Sequence, residues 1–392
     1  MSKNEASSDA GNQSGQPLHP AWEGSIELPA EALSHFGQLP ENQFTREYQT
    51  LKTKESGQSL PFSLPLQAAG NNVTDGAQWS TEELNPIIPH FADPELDRQS
   101  SGCSVVEEGS ILGESGRTYH GYKDGTSGYL LPNDAAEQDR LDFQHAMMAH
   151  LWDGRLVLAP LPRAPRLALD VATGTGIWAL EFARANPTSF VVGTDLSKIQ
   201  PTPDVPNCLF ERMDAEDDWL WTYKFDYIHV RMILAAIRDA KRLLQQAFDA
   251  LSPGGWIELQ DAGMDLRSED GPQSDDRVAT SYLRQWFDLL AKGAALHGID
   301  PYKTEHYAEW LKEIGFVDVV EEKFKVACGP WPSDKKAKVV GQYMRVNYLS
   351  GMRGAGYKAL RSTGMTPEEV EDFFTAARDE VKNGNIRGYT PW

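Results

Sequence analysis

Three acids, each at the end of an apolar run, and two glycines between them have the types and spacing to hold a ligand. Asp170 closes the run at 167–170, and Gly174 and Gly176 follow it. Asp195 closes a second run, and Asp214 with Ala215 closes a third. Carboxylates accept hydrogen bonds from hydroxyl, amino and ammonium groups. Glycines let the backbone turn sharply and come close to what it binds. Gly174-x-Gly176-x-x-Ala179 also satisfies the dinucleotide pattern. The loop alone therefore fits NAD or S-adenosylmethionine.

The acids separate the two. A pyrophosphate binds where a helix N-terminus offers bare N–H groups, and an anion beside it is repelled. Asp170 stands just before the glycines, where a methionyl ammonium would be held directly or through water. Asp195, 19 residues after Gly176, suits ribose hydroxyls in either cofactor. The turn DAEDDW, 214–219, offers Asp214 to an adenine amino group and the N–H of Ala215 to a ring nitrogen. A reductase would also need hydride-transfer machinery. The Tyr119-x-x-x-Lys123 spacing precedes the Gly-rich loop and is short enough to arise by chance. The expected cofactor is S-adenosylmethionine.

Arg231 follows the strand FDYIHV, where the methionyl end should lie. It suits the methionyl carboxylate and equally a nearby acid. His229 and His120 are the candidates for taking a proton from an acceptor. A histidine inside a strand also serves as a hydrogen-bonded core residue, and His120 equally suits packing.

These residues need a scaffold. From 166 the pattern alternates strand and helix. Strands are expected at 167–171, 189–195, 208–214, 225–230 and 256–261, with helices between them. Such alternation implies a mostly parallel sheet with helices on both faces, a three-layer α/β sandwich. Before it, Asp134 followed by Glu137 reads as a capped helix start over 135–152. After it, Val278, Tyr282, Trp286, Leu289 and Leu290 mark one face of a long helix. Tyr307, Trp310, Leu311 and Ile314 mark another, ahead of a strand at 316–326. Helices near 335–350 and from the capping box at Thr366 follow. These aromatics are expected to be mostly core, some lining an acceptor pocket.

Composition bounds the rest. The chain has 392 residues, 40% of them hydrophobic, and a net charge of −20. That charge argues against a surface laid along nucleic acid phosphates. Cys103, Cys208 and Cys328 lie far apart with no C-x-x-C, so no metal site or disulfide framework is expected. No signal peptide or membrane span is read. Residues 1–110 lack a sustained period and read as a disordered N-terminal tail. The expected division is tail 1–110, cofactor-binding core 111–265, and helices and last strands covering the acceptor at 266–392.

LDVATGTGIWALEFA, VVGTDLSKIQP, the DAEDDW turn, FDYIHVRM and LSPGGWIELQD together resemble, in order and spacing, the class I methyltransferases of the fungal LaeA-like group. GRTYHGYKDGTSGYLLPNDAAEQDRLDFQH resembles that group's opening segment. The resemblance implies a Rossmann-like fold with helical lid elements, and methyl transfer to O, N or S of a small molecule in secondary metabolite biosynthesis. The alternative it implies is a nuclear regulator of secondary-metabolism genes that works through protein partners. The first reading implies the cytoplasm and the second the nucleus. Ala172 stands where many relatives have a glycine. The chain stops at Tyr389-Thr-Pro-Trp392, before the group's final strand, so an unpaired sheet edge is expected.

Overall fold

The computed structural model describes residues 2–4, 110–122, 129–269, 276–384 and 386–392. Apart from Ser2–Asn4 and Ser110, the expected tail lies outside the described residues.

Among the described residues the first elements are three short strands: β1 (Ser2–Asn4), β2 (Ser110–Leu112) and β3 (Thr118–His120). Helix α1 (Ala135–Leu151) follows. The spine then alternates as β4 (Leu167–Val171), α2 (Ile177–Ala185), β5 (Phe190–Asp195), β6 (Cys208–Arg212), β7 (Phe225–Arg231), α3 (Ala240–Ala250) and β8 (Leu251–Gln260). After β9 (Arg267–Ser268) come α4 (Asp276–Thr280), α5 (Tyr282–Leu296), α6 (Tyr307–Ile314), β10 (Phe316–Val317) and β11 (Lys325–Ala327). The last elements are α7 (Lys335–Ser362), α8 (Pro367–Asn383) and β12 (Gly388–Pro391).

The main sheet runs β10-β1-β8-β7-β4-β5-β6. The five strands from β8 to β6 are mutually parallel, with Leu169 opposite both Val192 and Ile228. Both faces are covered, which is why these strands read as continuous apolar runs. Leu169, Val192, Ile228 and Ile257 are all but sealed from solvent. On one face Leu243, Leu244 and Ala247 of α3 pack against Ile228 and Ile257. On the other, Trp178 and Phe182 of α2 pack against Val191 and Tyr227. A third core, built by α1, α5, α7 and α8, forms the helical cover. No helix among the described residues is long and apolar enough to cross a membrane.

Four features differ from the sequence reading. The strand expected at 316–326 splits, because Asp318 takes a left-handed backbone (φ 51°) that no strand continues through. Its first part stays in the main sheet, and β11 joins β12 and β9 in a separate three-stranded sheet. The helix expected through Val278 and Leu290 breaks at Ser281, whose hydroxyl caps α5 by accepting from the Arg284 N–H at 3.0 Å. Tyr282 is left 41% exposed, outside the core. The helix near 335–350 runs on to Ser362, with glycines at its contacts: the Arg140 side chain lies across Gly351, and the Trp286 indole sits against Gly356. Finally, β1, which the sequence reading did not place, lies antiparallel between β8 and β10 and pairs Trp256 and Ile257 of β8.

Candidate cofactor and acceptor site

The loop between β4 and α2 is built on three left-handed residues: Ala172 (φ 56°), Gly174 (φ 61°) and Gly176 (φ 79°). A side chain in that region is strained, and Ala172 carries this strain where a glycine would not. At Gly176 there is no room either, since an added methyl would overlap the Phe210 ring. The Gly174 N–H donates to Asp195 Oδ2 at 2.9 Å, and the Ser197 N–H donates to Asp195 Oδ1 at 2.8 Å. The acid at the end of β5 therefore fixes the glycine turn from below. Burial pushes its carboxyl up to about 6, against these two donors.

Beneath the loop lies a sealed polar stack. Asp170 accepts from Thr173 Oγ1 at 2.5 Å and from His229 Nδ1 at 2.7 Å. His229 Nε2 faces Gln260 Oε1 at 3.1 Å, while Gln260 Nε2 donates to Glu258 at 2.8 Å. Glu258 also accepts from the N–H groups of Leu158 and Ala159 and from the Tyr227 hydroxyl. The His229 ring stacks on Trp178 with centroids 3.7 Å apart. Both its nitrogens are engaged inside the stack, with Asp170 and Gln260, and neither faces the cavity described below.

Helix α1 closes the loop from above. Asp134 caps it by accepting from the Glu137 N–H at 3.1 Å, and grips Arg117 through two bonds of 2.5 and 2.6 Å. Glu137 does not complete a capping box; its carboxylate turns to Arg140. Further along, Asp142 accepts from the Thr175 hydroxyl at 2.6 Å, tying the helix to the Gly-rich loop. Burial raises the Asp142 carboxyl to about 7. His145 Nε2 donates to Glu181 at 2.9 Å, so its Nδ1 accepts from Arg231 Nη1 at 3.0 Å. Burial lowers the pKa of both His145 and Arg231. Met232, next in the chain, also has a left-handed backbone (φ 54°), and strain of this kind gathers at working sites.

These elements enclose a cavity of about 240 Å³. Gly174, Asp195, Asp214, Ala215 and Arg231 of the expected site residues line it; Asp214 accepts from the Glu216 N–H at 2.9 Å. Gly176 is not in the wall; it is the left-handed N-cap of α2. Asp170, His229 and His120 are not in its wall. His120 is buried against the Tyr129 ring, edge to face, and burial lowers its pKa. Apolar side chains make up much of the rest of the lining: Met232, Met264, Trp286, Phe287, Met344 and Met352. Gln144 lines it too, and is 5% exposed.

Asp142, Gln144, His145, Thr175 and Glu181 were missed in the sequence. The signal for the first three was polar residues, Asp142, Gln144 and His145, set among the apolar Phe143, Met147 and Met148; Thr175 and Glu181 had none.

A parallel sheet of this order, a glycine turn after β4 and an acid closing β5 fit a cofactor with an adenosine end, and the relatives decide that the class is that of S-adenosylmethionine-dependent methyltransferases. The family described as Methyltransferase domain matches residues 143–322. The chain is 37% identical to Methyltransferase pytC of Aspergillus terreus over 78% of this chain and 94% of that protein. It is 34% identical to Secondary metabolism regulator LAE1 of Cochliobolus heterostrophus, over 74% and 95% respectively. It is 31% identical to Protein-methionine methyltransferase laeA of Emericella nidulans, over 70% and 73%. The chain belongs to the LaeA-like group of class I methyltransferases, and its cofactor is S-adenosylmethionine.

Proposed function

We propose that this methyltransferase acts on O, N or S of a small, largely apolar metabolite in fungal secondary metabolism. The observation that carries this reading is the cavity's mixed lining: carboxylates and a glycine turn together with methionines and aromatics. Enzyme pockets for small molecules have this composition, with few polar groups fixing orientation.

Asp195 would hold the ribose hydroxyls, Asp214 and Ala215 the adenine edge, and Arg231 the methionyl carboxylate. Asp170 has one bond on each oxygen already, so its part is to brace the loop through Thr173. When bound, S-adenosylmethionine supplies an electrophilic sulfonium methyl. The chain's own work is to orient the acceptor beside it and to exclude water, which supplies much of the rate of such transfers. His229 is spent in its stack and His120 lies outside the wall, so neither takes the acceptor's proton.

A second reading, regulation of secondary-metabolism genes, is favoured by the name of LAE1. It would place the protein in the nucleus and make protein partners central, where the first places it in the cytoplasm. Comparison of strains with and without the gene separates them. Tailoring predicts one compound lighter by a methylene in the deletion strain, with biosynthetic transcripts unchanged. Loss of whole compound families together with their transcripts would instead support regulation.

A further inference from the structure

Arg231 reaches the cavity wall from the end of β7. Burial works against its charge, and the nearby acids Asp170, Glu181 and Asp142 work for it. A guanidinium beside carboxylates ordinarily closes forked ion pairs with them. Here each acid has another partner. Asp170 holds Thr173 and His229, Asp142 accepts from the Thr175 hydroxyl, and Glu181 is bonded to His145. The guanidinium meets the His145 ring instead, Nη1 to Nδ1 at 3.0 Å. Arginine has no acceptor to offer, so Nδ1 carries the lone pair and the ring proton sits on Nε2, facing Glu181 at 2.9 Å. Burial lowers the imidazole's pKa and keeps it in this neutral form.

We propose that His145 is a positioning residue for the amino-acid end of the cofactor. With its tautomer fixed by Glu181, it turns the Arg231 guanidinium toward the cavity and so sets a preference for adenosyl ligands that carry a carboxylate. The inference rests on the reading of Arg231 as the partner of the methionyl carboxylate.

Two observations carry it. First, a neutral acceptor holds the arginine without cancelling its charge. A carboxylate in place of the imidazole would neutralise the guanidinium and remove its attraction for an anionic ligand. A guanidinium is a planar fork, so fixing one N–H also fixes the direction of the others. Second, the ring is held by the elements that carry the glycine turn. Its Nε2 is bonded to Glu181 of α2, the helix that Gly176 starts. One turn earlier on α1, Asp142 binds the Thr175 hydroxyl of the same loop. His145 itself is 5% exposed. The direction of Arg231 is thereby set relative to the turn that the cofactor has to meet.

The test compares two ligands on the full chain by calorimetric titration. S-adenosylhomocysteine carries the carboxylate. 5′-Methylthioadenosine keeps the adenine, ribose and thioether and lacks the amino-acid end. The readout is the ratio of the two dissociation constants, which a loss shared by both ligands leaves unchanged. Arg231→Gln should cut the preference for S-adenosylhomocysteine by about tenfold or more, as loss of a charge-assisted bond requires. His145→Phe keeps a ring without an acceptor and should cut it about three- to tenfold. His145→Gln can accept from Arg231 and donate to Glu181, and should restore most of the preference. Binding of 5′-methylthioadenosine verifies that each variant is folded. Should His145→Phe not fold, Glu181→Ala, at a partly exposed position, releases the tautomer and should cut the preference about threefold.

A preference that falls in Arg231→Gln and stays unchanged in His145→Phe, or in Glu181→Ala used in its place, overturns this inference alone. Equal weakening of both ligands in His145→Phe, or a His145→Gln no better than His145→Phe, also overturns it. A preference unchanged in Arg231→Gln overturns the reading of Arg231 and this inference with it.

Discussion

Asp195→Ala is expected to weaken binding of S-adenosylmethionine and S-adenosylhomocysteine by about ten- to a hundredfold. Two effects combine. The carboxylate would lose its bonds to the ribose hydroxyls, and charged acceptors lose roughly 1.5–3 kcal/mol per bond, less where water substitutes. It would also release the Gly174 N–H, which it holds at 2.9 Å, and with it the turn itself. Asp195→Asn keeps the size and one acceptor oxygen and should fall between. The same residue predicts a pH dependence. Burial raises its carboxyl to about 6, so the cofactor-free protein holds it neutral in weak acid. The stability this gives is full below the unfolded value near 4 and lost as pH rises through about 6. Ribose hydroxyls favour the ionised form, so affinity should move oppositely, rising about tenfold from pH 5 to 7.5 and then levelling. Calorimetric titration reads both. Unchanged affinity in Asp195→Ala would remove the residue from the site.

The largest stability effect is expected at Asp134. Its carboxylate holds Arg117 with both side chains almost fully buried, and caps α1 as well. Replacing it with Ala leaves a buried guanidinium without its carboxylate, which costs about 3–5 kcal/mol. Loss of the cap adds about 1 kcal/mol. Asp134→Asn retains a capping oxygen and should recover about the second amount only. Urea unfolding with an unchanged slope is the appropriate measurement. A loss below about 1 kcal/mol in Asp134→Ala would falsify the view that this pair anchors the segment over the site.

What the sequence disclosed, and what it hid, follows from how far each contact reaches along the chain. β4, the glycine turn and α2 are contiguous, so an apolar run, Gly174 and Gly176 were enough to place them. The acids ending β5 and β6 were legible because parallel strands bring their ends to one side of a sheet. The bond between Asp142 and Thr175 spans 33 residues, and that between Arg231 and His145 spans 86. No periodicity encodes such pairs. Trp286 and Tyr282 sat on one apolar face in sequence, yet the break at Ser281 buries the first and exposes the second. FVDVVEEKFKV carries a strand-like apolar pattern throughout, and only the left-handed backbone of Asp318 shows where it ends. The pairing of Ser2–Asn4 with β8 joins the two most distant parts of the sheet and had no local signal at all.

The most direct test of the central claim is transfer of a labelled methyl group. Full-length protein is incubated with S-adenosylmethionine carrying a deuterated methyl and with metabolite extract from a strain lacking the gene. Mass spectrometry then follows small molecules, the protein and S-adenosylhomocysteine together. The expected result is one small molecule gaining the labelled methyl in step with S-adenosylhomocysteine release, and no transfer by Asp195→Ala. Label confined to protein, or S-adenosylhomocysteine formed without a labelled small molecule, would contradict it.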